Sequence, residues 1–371
     1  MALIGRGYLE VHGGNLRQAR GKYGNGNQDI LDYSANINPL GIPDSVRTAL
    51  NASIDDIVHY PDPQAHDLKQ AIAEHYSVPI EQLVVGNGAA ELIYVLLHQL
   101  RPQKVLMPAP TFSEYERATN SIAGKIIYFP LEQENGFHIN IEEMIKALDD
   151  INMCFICNPN NPVGNMLTKD ALAALVQAAK DRGVWLVVDE SFIDFLPDAA
   201  ALTCSALVNV FDNLIILHSL TKFFALPGLR LGFGIMPERL ARMVELAKDP
   251  WNVNNLAQAA GVAALKDLAY IQRSVELIKE EQQFMYSALK HVAGLTAYPP
   301  HANFIFLRLD HPVFNSTKLA DAMAQRGILI RDCSSYPGLD THYIRVAVKQ
   351  REDNLKLLAL LESILGLRGT L

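Results

Sequence analysis

The sequence predicts an α/β fold, with a large domain on a mostly parallel sheet covered by helices and a smaller α+β C-terminal domain. Three observations predict it. From about residue 64 to residue 236, amphipathic runs such as QAHDLKQAIAEHY alternate with short apolar runs such as QLVV, KVLM, MCFIC and VWLVV, the pattern of repeated strand–helix–strand units. After Pro250 this pattern gives way to a long helical region and then to mixed strands and helices. At 371 residues and 49% hydrophobic content, the chain exceeds the usual span of one core and has apolar side chains enough for two.

Taken in order, the first 45 residues are rich in Gly and Asn and predict an arm with little core of its own, packed with the small domain. The expected division is therefore 1–45, 46–250 and 251–371. AAELIYVLLHQL and TKDALAALVQAAKDRG are long enough to be crossover helices between parallel strands. In MCFIC, strand periodicity points Cys154 and Cys157 to opposite faces, so they read as buried thiols rather than a redox or metal pair. Four cysteines are too few for a disulfide framework in a chain this long. NLIIL, rich in β-branched residues, predicts a strand covered on both faces. Beyond Pro250 follow a helical region to about Leu289, strand-like NFIFLRL, a helix around LADAMAQRG, strand-like ILIR and YIRVAV, and a closing helix.

Composition narrows the function. No stretch reaches the ~18 apolar residues of a membrane span. The start MALIGRGYLEVHGG lacks the basic region and long apolar segment of a secretory signal, so a cytoplasmic protein is expected. Lys and Arg total 32 against 40 Asp and Glu, a net charge of −8, and no basic run grips a phosphate backbone; nucleic acid is not an expected partner.

Ligands of an open parallel sheet bind beyond the carboxyl ends of its strands, where helix N-termini offer free N–H groups. GNGAAE, Gly86 to Glu91, follows QLVV there; alone it reads equally as a phosphate turn or a tight strand-to-helix turn. Its likeness to a dinucleotide fingerprint stops at Glu91, where a third Gly should stand, which makes a nicotinamide dehydrogenase the weaker reading. NPNNPVG, Asn158 to Gly164, fixes a turn and leaves amide side chains free. In DESF, Asp189 ends a buried run and so needs a cationic partner, unless it caps a helix. HSLTKFFALPGLRLG places Lys222 just past a strand end, with hydroxyls at Ser219 and Thr221 and with Arg230 beyond a Pro227-Gly228 turn. An amine nucleophile, a buried carboxylate and a phosphate cup suit pyridoxal 5′-phosphate, which binds lysine as a Schiff base while a carboxylate keeps its ring nitrogen protonated.

The order NGAAE, PTFSEY, NPNNPVG, DESF, SLTK and GLRLG resembles the fold-type I aminotransferase superfamily over nearly the whole chain. The resemblance implies that Lys222 and Asp189 are catalytic, with Lys222 carrying the cofactor and Asp189 pairing with the pyridinium nitrogen. By it, Asn161 donates to the ring hydroxyl, Phe112 stacks on the ring, and Gly88, Ala89, Ser219, Thr221 and Arg230 hold the phosphate. It further implies that Tyr60, in HYPDP, reaches the cofactor of a neighbouring subunit, hence a homodimer with its active site at the interface, and that Arg345, in YIRVAV, binds the substrate α-carboxylate.

More closely, HGGN, SANINPLG, ILIRDC with SYPGL, and YIRVAVK are similar to the threonine-phosphate decarboxylase family of cobalamin biosynthesis, relatives of the histidinol-phosphate aminotransferases. That similarity implies decarboxylation of L-threonine O-3-phosphate to (R)-1-amino-2-propanol O-2-phosphate, with His12, Asn36 and Arg331 around the substrate phosphate. A surface His12 and a turn-capping Asn36 are the plainer alternatives. The chain departs from the wider pattern at Phe192, where most relatives have a tyrosine that binds the ring oxygen, and at Val163 and Ala90. Phenylalanine cannot donate there, which disfavours transamination. A histidinol-phosphate-type aminotransferase is the alternative. A non-catalytic pyridoxal-phosphate sensor would need a helix-turn-helix module that the short, Gly-rich arm does not supply. Threonine and serine phosphates differ by one methyl group, which a pocket resolves by only ~1–3 kcal/mol.

Overall fold

A computed structural model of the chain describes residues 13–23 and 30–366. In chain order its strands are β1 (Leu31–Asp32), β2 (Leu83–Gly86), β3 (Lys104–Ala109), β4 (Lys125–Pro130), β5 (Met153–Cys157), β6 (Trp185–Asp189), β7 (Leu214–Ser219) and β8 (Gly232–Ile235). After Pro250 come β9 (Leu295–Ala297), β10 (Phe304–Leu309), β11 (Ile328–Leu329), β12 (Arg331–Asp332) and β13 (Tyr343–Ala347).

β2 to β8 form one seven-stranded sheet in the order β2-β8-β7-β6-β5-β3-β4. From β4 to β7 all neighbours are parallel, while β8 runs antiparallel to both β7 and β2. The apolar runs form the central strands because helices cover both faces and leave no place for polar alternation. In β5, Cys154 and Ile156 join the core on one face, and Met153, Phe155 and Cys157 the core on the other. All four cysteines are buried free thiols, and burial raises the pKa of both Cys154 and Cys157.

The crossover helices fall where periodicity places them, at Ala89–Leu100 and Lys169–Asp181. Thr168 caps the second: its hydroxyl accepts from the Ala171 N–H at 3.2 Å. The smaller sheet is antiparallel, in the order β12-β13-β10-β9. ILIR, which reads as one strand, divides in two because its partner changes: β11 pairs parallel with β1 of the arm, and β12 pairs with β13.

The helix Asn255–Lys266 falls on the C-terminal side of the Pro250 boundary in sequence, yet it packs on Asp44–Ala52 and His66–Tyr76 of the large domain. Its contact face is small and buried, with Ala257, Ala260, Gly261 and Ala264. A Cβ on Gly261 would meet Leu68 Cδ1 at 2.6 Å, so glycine sets how closely these helices approach. The long helix Leu268–Leu289 packs on the turn Ile193–Phe195 as well as on β9, β10 and the closing helix Arg351–Leu365.

Candidate active site

β7 is buried along its whole length and runs into a single helical turn, Leu220–Phe223, that carries Lys222 into a cavity of about 680 Å³. The arm holds this turn in place. The Asn38 N–H donates to Lys222 O at 3.1 Å, and Asn38 Nδ2 donates to Phe223 O at 2.7 Å and Ser274 Oγ at 2.8 Å. Lys222 Nζ donates to Thr221 Oγ1 at 3.4 Å. Burial pushes the Lys222 amine down to about 8, the Arg230 and Arg345 charges push the same way, and Asp189 opposes them. A primary amine in that range is a nucleophile near neutral pH.

Asp189 ends β6 beneath this lysine and is buried. Neutral donors hold it from below: the Tyr115 hydroxyl donates to Oδ2 at 2.7 Å, and Ser191 donates to Oδ1 from its N–H at 3.0 Å and its hydroxyl at 2.5 Å. The reason is topological, because the strand end meets the helix Ser113–Ser121 and its own following turn. Tyr115 is itself fixed by stacking on Phe155, with centroids 4.7 Å apart and planes 10° apart.

The phosphate cup is shaped by close backbone approach. Gly88 has φ +82°, and a Cβ there would lie 2.4 Å from Arg230 Nη2; a Cβ on Gly232 would lie 2.4 Å from the Ala89 nitrogen. The Gly88 N–H donates to Gly86 O at 2.7 Å within the turn. Ala89 and Ala90, in the first turn of Ala89–Leu100, line the cavity, and the N–H groups of that turn lack intrahelical partners. Ser219 Oγ and Thr221 Oγ1 lie 2.7 Å apart at the same rim.

Phe112, Phe192 and Asn161 also line the cavity. Phe192 packs edge-on against Phe304, centroids 5.1 Å apart. The Asn161 carbonyl accepts from Arg345 Nη1, which ties the turn after β5 to the small domain. Arg345 Nη2 donates to Ser34 O at 2.8 Å, and its guanidinium lies 5.1 Å from the Phe304 centroid. Arg331 Nη2 donates to Ser335 Oγ at 3.3 Å. Arg331 and Arg345 are direct cross-strand partners of β12 and β13, so the two cations share one face of the small sheet. Asn36 is buried beside them, and its Oδ1 has no hydrogen-bond partner among the described residues.

His12 lies outside the described residues. Gly13 and Gly14 line the cavity, and the Gly14 N–H donates to Ser34 Oγ at 2.9 Å. Tyr60 stands away from this cavity, 79% exposed and 4.6 Å from the Trp251 ring. Sequence reasoning missed Tyr115, Ser191 and Ser34. Ser191 had a signal, since a serine two residues after an aspartate readily closes this local bond; the other two meet their partners only through the fold.

The chain matches the family model for aminotransferase class I and II over residues 28–361. It is 38% identical to a threonine-phosphate decarboxylase of Salmonella typhimurium over 96% of this chain and 97% of that protein. It is 33% identical to the adenosylcobalamin biosynthesis bifunctional protein CobDQ of Leptospira interrogans, over 94% of this chain and 40% of that longer protein. Among solved structures, the histidinol-phosphate aminotransferase of Clostridium acetobutylicum superposes with a TM-score of 0.85 at 31% identity, covering 91% of this chain and 99% of that one.

Proposed function

The chain belongs to the aminotransferase class I and II family, and from that premise we propose that it is a pyridoxal-phosphate-dependent decarboxylase converting L-threonine O-3-phosphate to (R)-1-amino-2-propanol O-2-phosphate for cobalamin synthesis. The residues fit the cofactor: an amine of lowered pKa, a buried carboxylate held by three donors, and a glycine-lined helix start with two hydroxyls and an arginine. Bound there, pyridoxal phosphate supplies a carbonyl for amines and a ring that accepts the electron pair released at the substrate Cα.

The observation that carries the decarboxylase reading is the 38% identity to a threonine-phosphate decarboxylase over 96% of the chain. The pairing of Arg331 with Arg345 on one face of the small sheet suits the carboxylate and the phosphate of threonine phosphate. Arg345 would take the carboxylate through its planar fork, Arg331 and Asn36 would take the phosphate, and two such anchors would fix the rotation about the substrate Cα and so select which bond there breaks. Asp189 keeps the ring nitrogen protonated. Lys222 Nζ delivers the proton that replaces the lost carboxylate at Cα. Phe192 gives the ring oxygen no donor, which leaves Asn161 as the side chain placed to reach it.

The assembly we propose is a homodimer in which Tyr60 of each chain reaches the other's phosphate cup. Its support is the exposed apolar rim of Ile57, Val58, Tyr60 and Trp251 on the chain surface. Four buried free thiols, and the absence among the described residues of a helix long and apolar enough to cross a membrane, support a cytoplasmic setting.

The test is to incubate the protein and pyridoxal phosphate with threonine phosphate, serine phosphate, or histidinol phosphate plus 2-oxoglutarate. CO₂ release from threonine phosphate, with kcat/KM about tenfold above serine phosphate, is expected. Glutamate formation from 2-oxoglutarate and histidinol phosphate, with no CO₂ released from threonine phosphate, would make the protein an aminotransferase.

A further inference from the structure

One residue from the cavity wall lies a buried charge cluster that the chemistry above does not use. Glu190 follows Asp189 at the end of β6, and His218 precedes Ser219 in β7. Both side chains are 0% exposed, with His218 Nε2 3.3 Å from Glu190 Oε2. Glu190 is held from its other side, since Oε2 accepts from Thr203 Oγ1 at 2.5 Å and Oε1 accepts from the Cys204 N–H at 2.8 Å. The imidazole stacks on Phe233 of β8, centroids 4.8 Å apart and planes 3° apart, and its centroid is 4.9 Å from that of Tyr76. Neither ring nitrogen has an aligned hydrogen-bond partner among the described residues, so charge attraction and stacking hold the ring.

We propose that His218 and Glu190 form a charge clamp that fixes the spacing between Asp189 and Ser219, and so between the seat for the ring nitrogen and the seat for the phosphate. The inference rests on the cofactor reading above. The cofactor is a rigid ring, so its two seats must keep their separation to within about 0.5 Å if both are to engage it at once. Beyond the β6–β7 ladder itself, Glu190 N–H donates to Leu217 O at 2.8 Å, and that is a backbone bond at the very ends of the strands. The ion pair adds a side-chain tie at the same level. His218 and Glu190 act through their neighbours and touch neither cofactor nor substrate, which makes them positioning residues.

The groups facing the imidazole come from every element packed around it. They are Glu190 and Asp189 of the β6 end, Asp194 of the turn Ile193–Phe195, and Tyr76 and His75 of the helix His66–Tyr76, with apolar Phe233 on β8. Tyr76 donates to Asp194 Oδ2 at 3.1 Å, which keeps that carboxylate near the ring. Burial opposes a charge on His218, but Glu190, Asp194 and Asp189 outweigh it, so the imidazolium persists above the ordinary histidine range. A base raised in the folded state loses its contribution as pH rises through the folded value. The clamp is thus engaged at low pH and released as pH rises through a midpoint above the ordinary 6.5.

The experiment measures dissociation constants for 4′-deoxypyridoxine 5′-phosphate, which keeps the ring nitrogen and phosphate but cannot react with Lys222. Wild type is compared with His218→Gln, Glu190→Gln and the double variant. Each single change leaves a buried partner uncompensated and is expected to weaken binding about tenfold or more, while the neutral amide pair recovers to within about threefold of wild type. Should the single variants not fold, ¹³C-histidine NMR of the wild-type apoprotein decides: the His218 midpoint is expected above 6.5, with probe affinity falling across the same midpoint. Single variants that melt earlier yet bind within about twofold of wild type overturn the clamp and leave a merely structural pair. A His218 that stays neutral down to about pH 5 overturns it equally. Failure of the wild type to bind pyridoxal phosphate at all would sink the cofactor reading instead, so the two failures are distinguishable.

Discussion

Lys222 carries a conflict between its fold and its charge. Because burial lowers its amine to about 8, the folded chain releases that proton before the unfolded chain does, and wild-type stability should rise with pH between about 8 and the ordinary 10.5. In cofactor-free protein, Lys222→Met is expected to raise Tm at pH 7 and to lose this advantage as pH approaches 10.5; a difference that ignores pH contradicts the assignment. At Asp189 the expectation is electronic. Asp189→Asn should fold and keep some cofactor through the phosphate contacts, yet lose about a hundredfold or more in turnover, because the ring nitrogen is no longer held protonated. Near-normal turnover would show that another carboxylate has the role. The two arginines should separate by substrate. Arg331→Ala is expected to lose most of the kcat/KM preference for threonine phosphate over threonine, whereas Arg345→Ala impairs both. An unchanged ratio in Arg331→Ala moves the phosphate seat elsewhere. Lys222, Asp189 and Arg230 were legible in sequence because apolar runs and Gly/Pro turns bracket them. Tyr115 was not, since it meets Asp189 from 74 residues away.

Among elements, the junction of β8 with the helix Ala89–Leu100 carries the cup, and glycine is what lets them meet. Gly232→Ala would place a methyl 2.4 Å from the Ala89 nitrogen and 2.8 Å from His218 O, both backbone atoms that cannot swing aside. Pyridoxal-phosphate affinity is expected to fall about tenfold or more while far-ultraviolet circular dichroism stays native, and unchanged affinity would remove the helix start from the phosphate seat. Most elements were legible because their periods are clean: the helix beginning at Ala89 starts and stops where AAELIYVLLHQL does. The split of ILIR into β11 and β12 was not, because a strand's own residues do not record which neighbour it pairs with on each side. Nor was the allegiance of Asn255–Lys266, whose alanine-rich face fits either domain until Leu68 appears opposite Gly261.

For the whole molecule, the exposed pair of Tyr60 and Trp251 makes assembly and cofactor binding one question. Trp251→Glu is expected to shift the protein from dimer to monomer in analytical ultracentrifugation and to weaken pyridoxal phosphate together with it. A monomer with wild-type affinity would mean that each chain completes its own cup. The cross-strand arginines act at this scale as well. Direct neighbours of like charge work against the sheet that contains them; burial lowers the pKa of Arg345, and Arg331 beside it adds a smaller push the same way. A substrate seated there as proposed brings counter-ions as well as a reactant: its carboxylate and phosphate offset the repulsion between β12 and β13. The product would keep the phosphate and lack the carboxylate, and with it the counter-ion proposed for Arg345. On that reading the small domain weighs the ligand by charge, gripping the molecule that still has a carboxylate to lose and loosening on the one that has lost it.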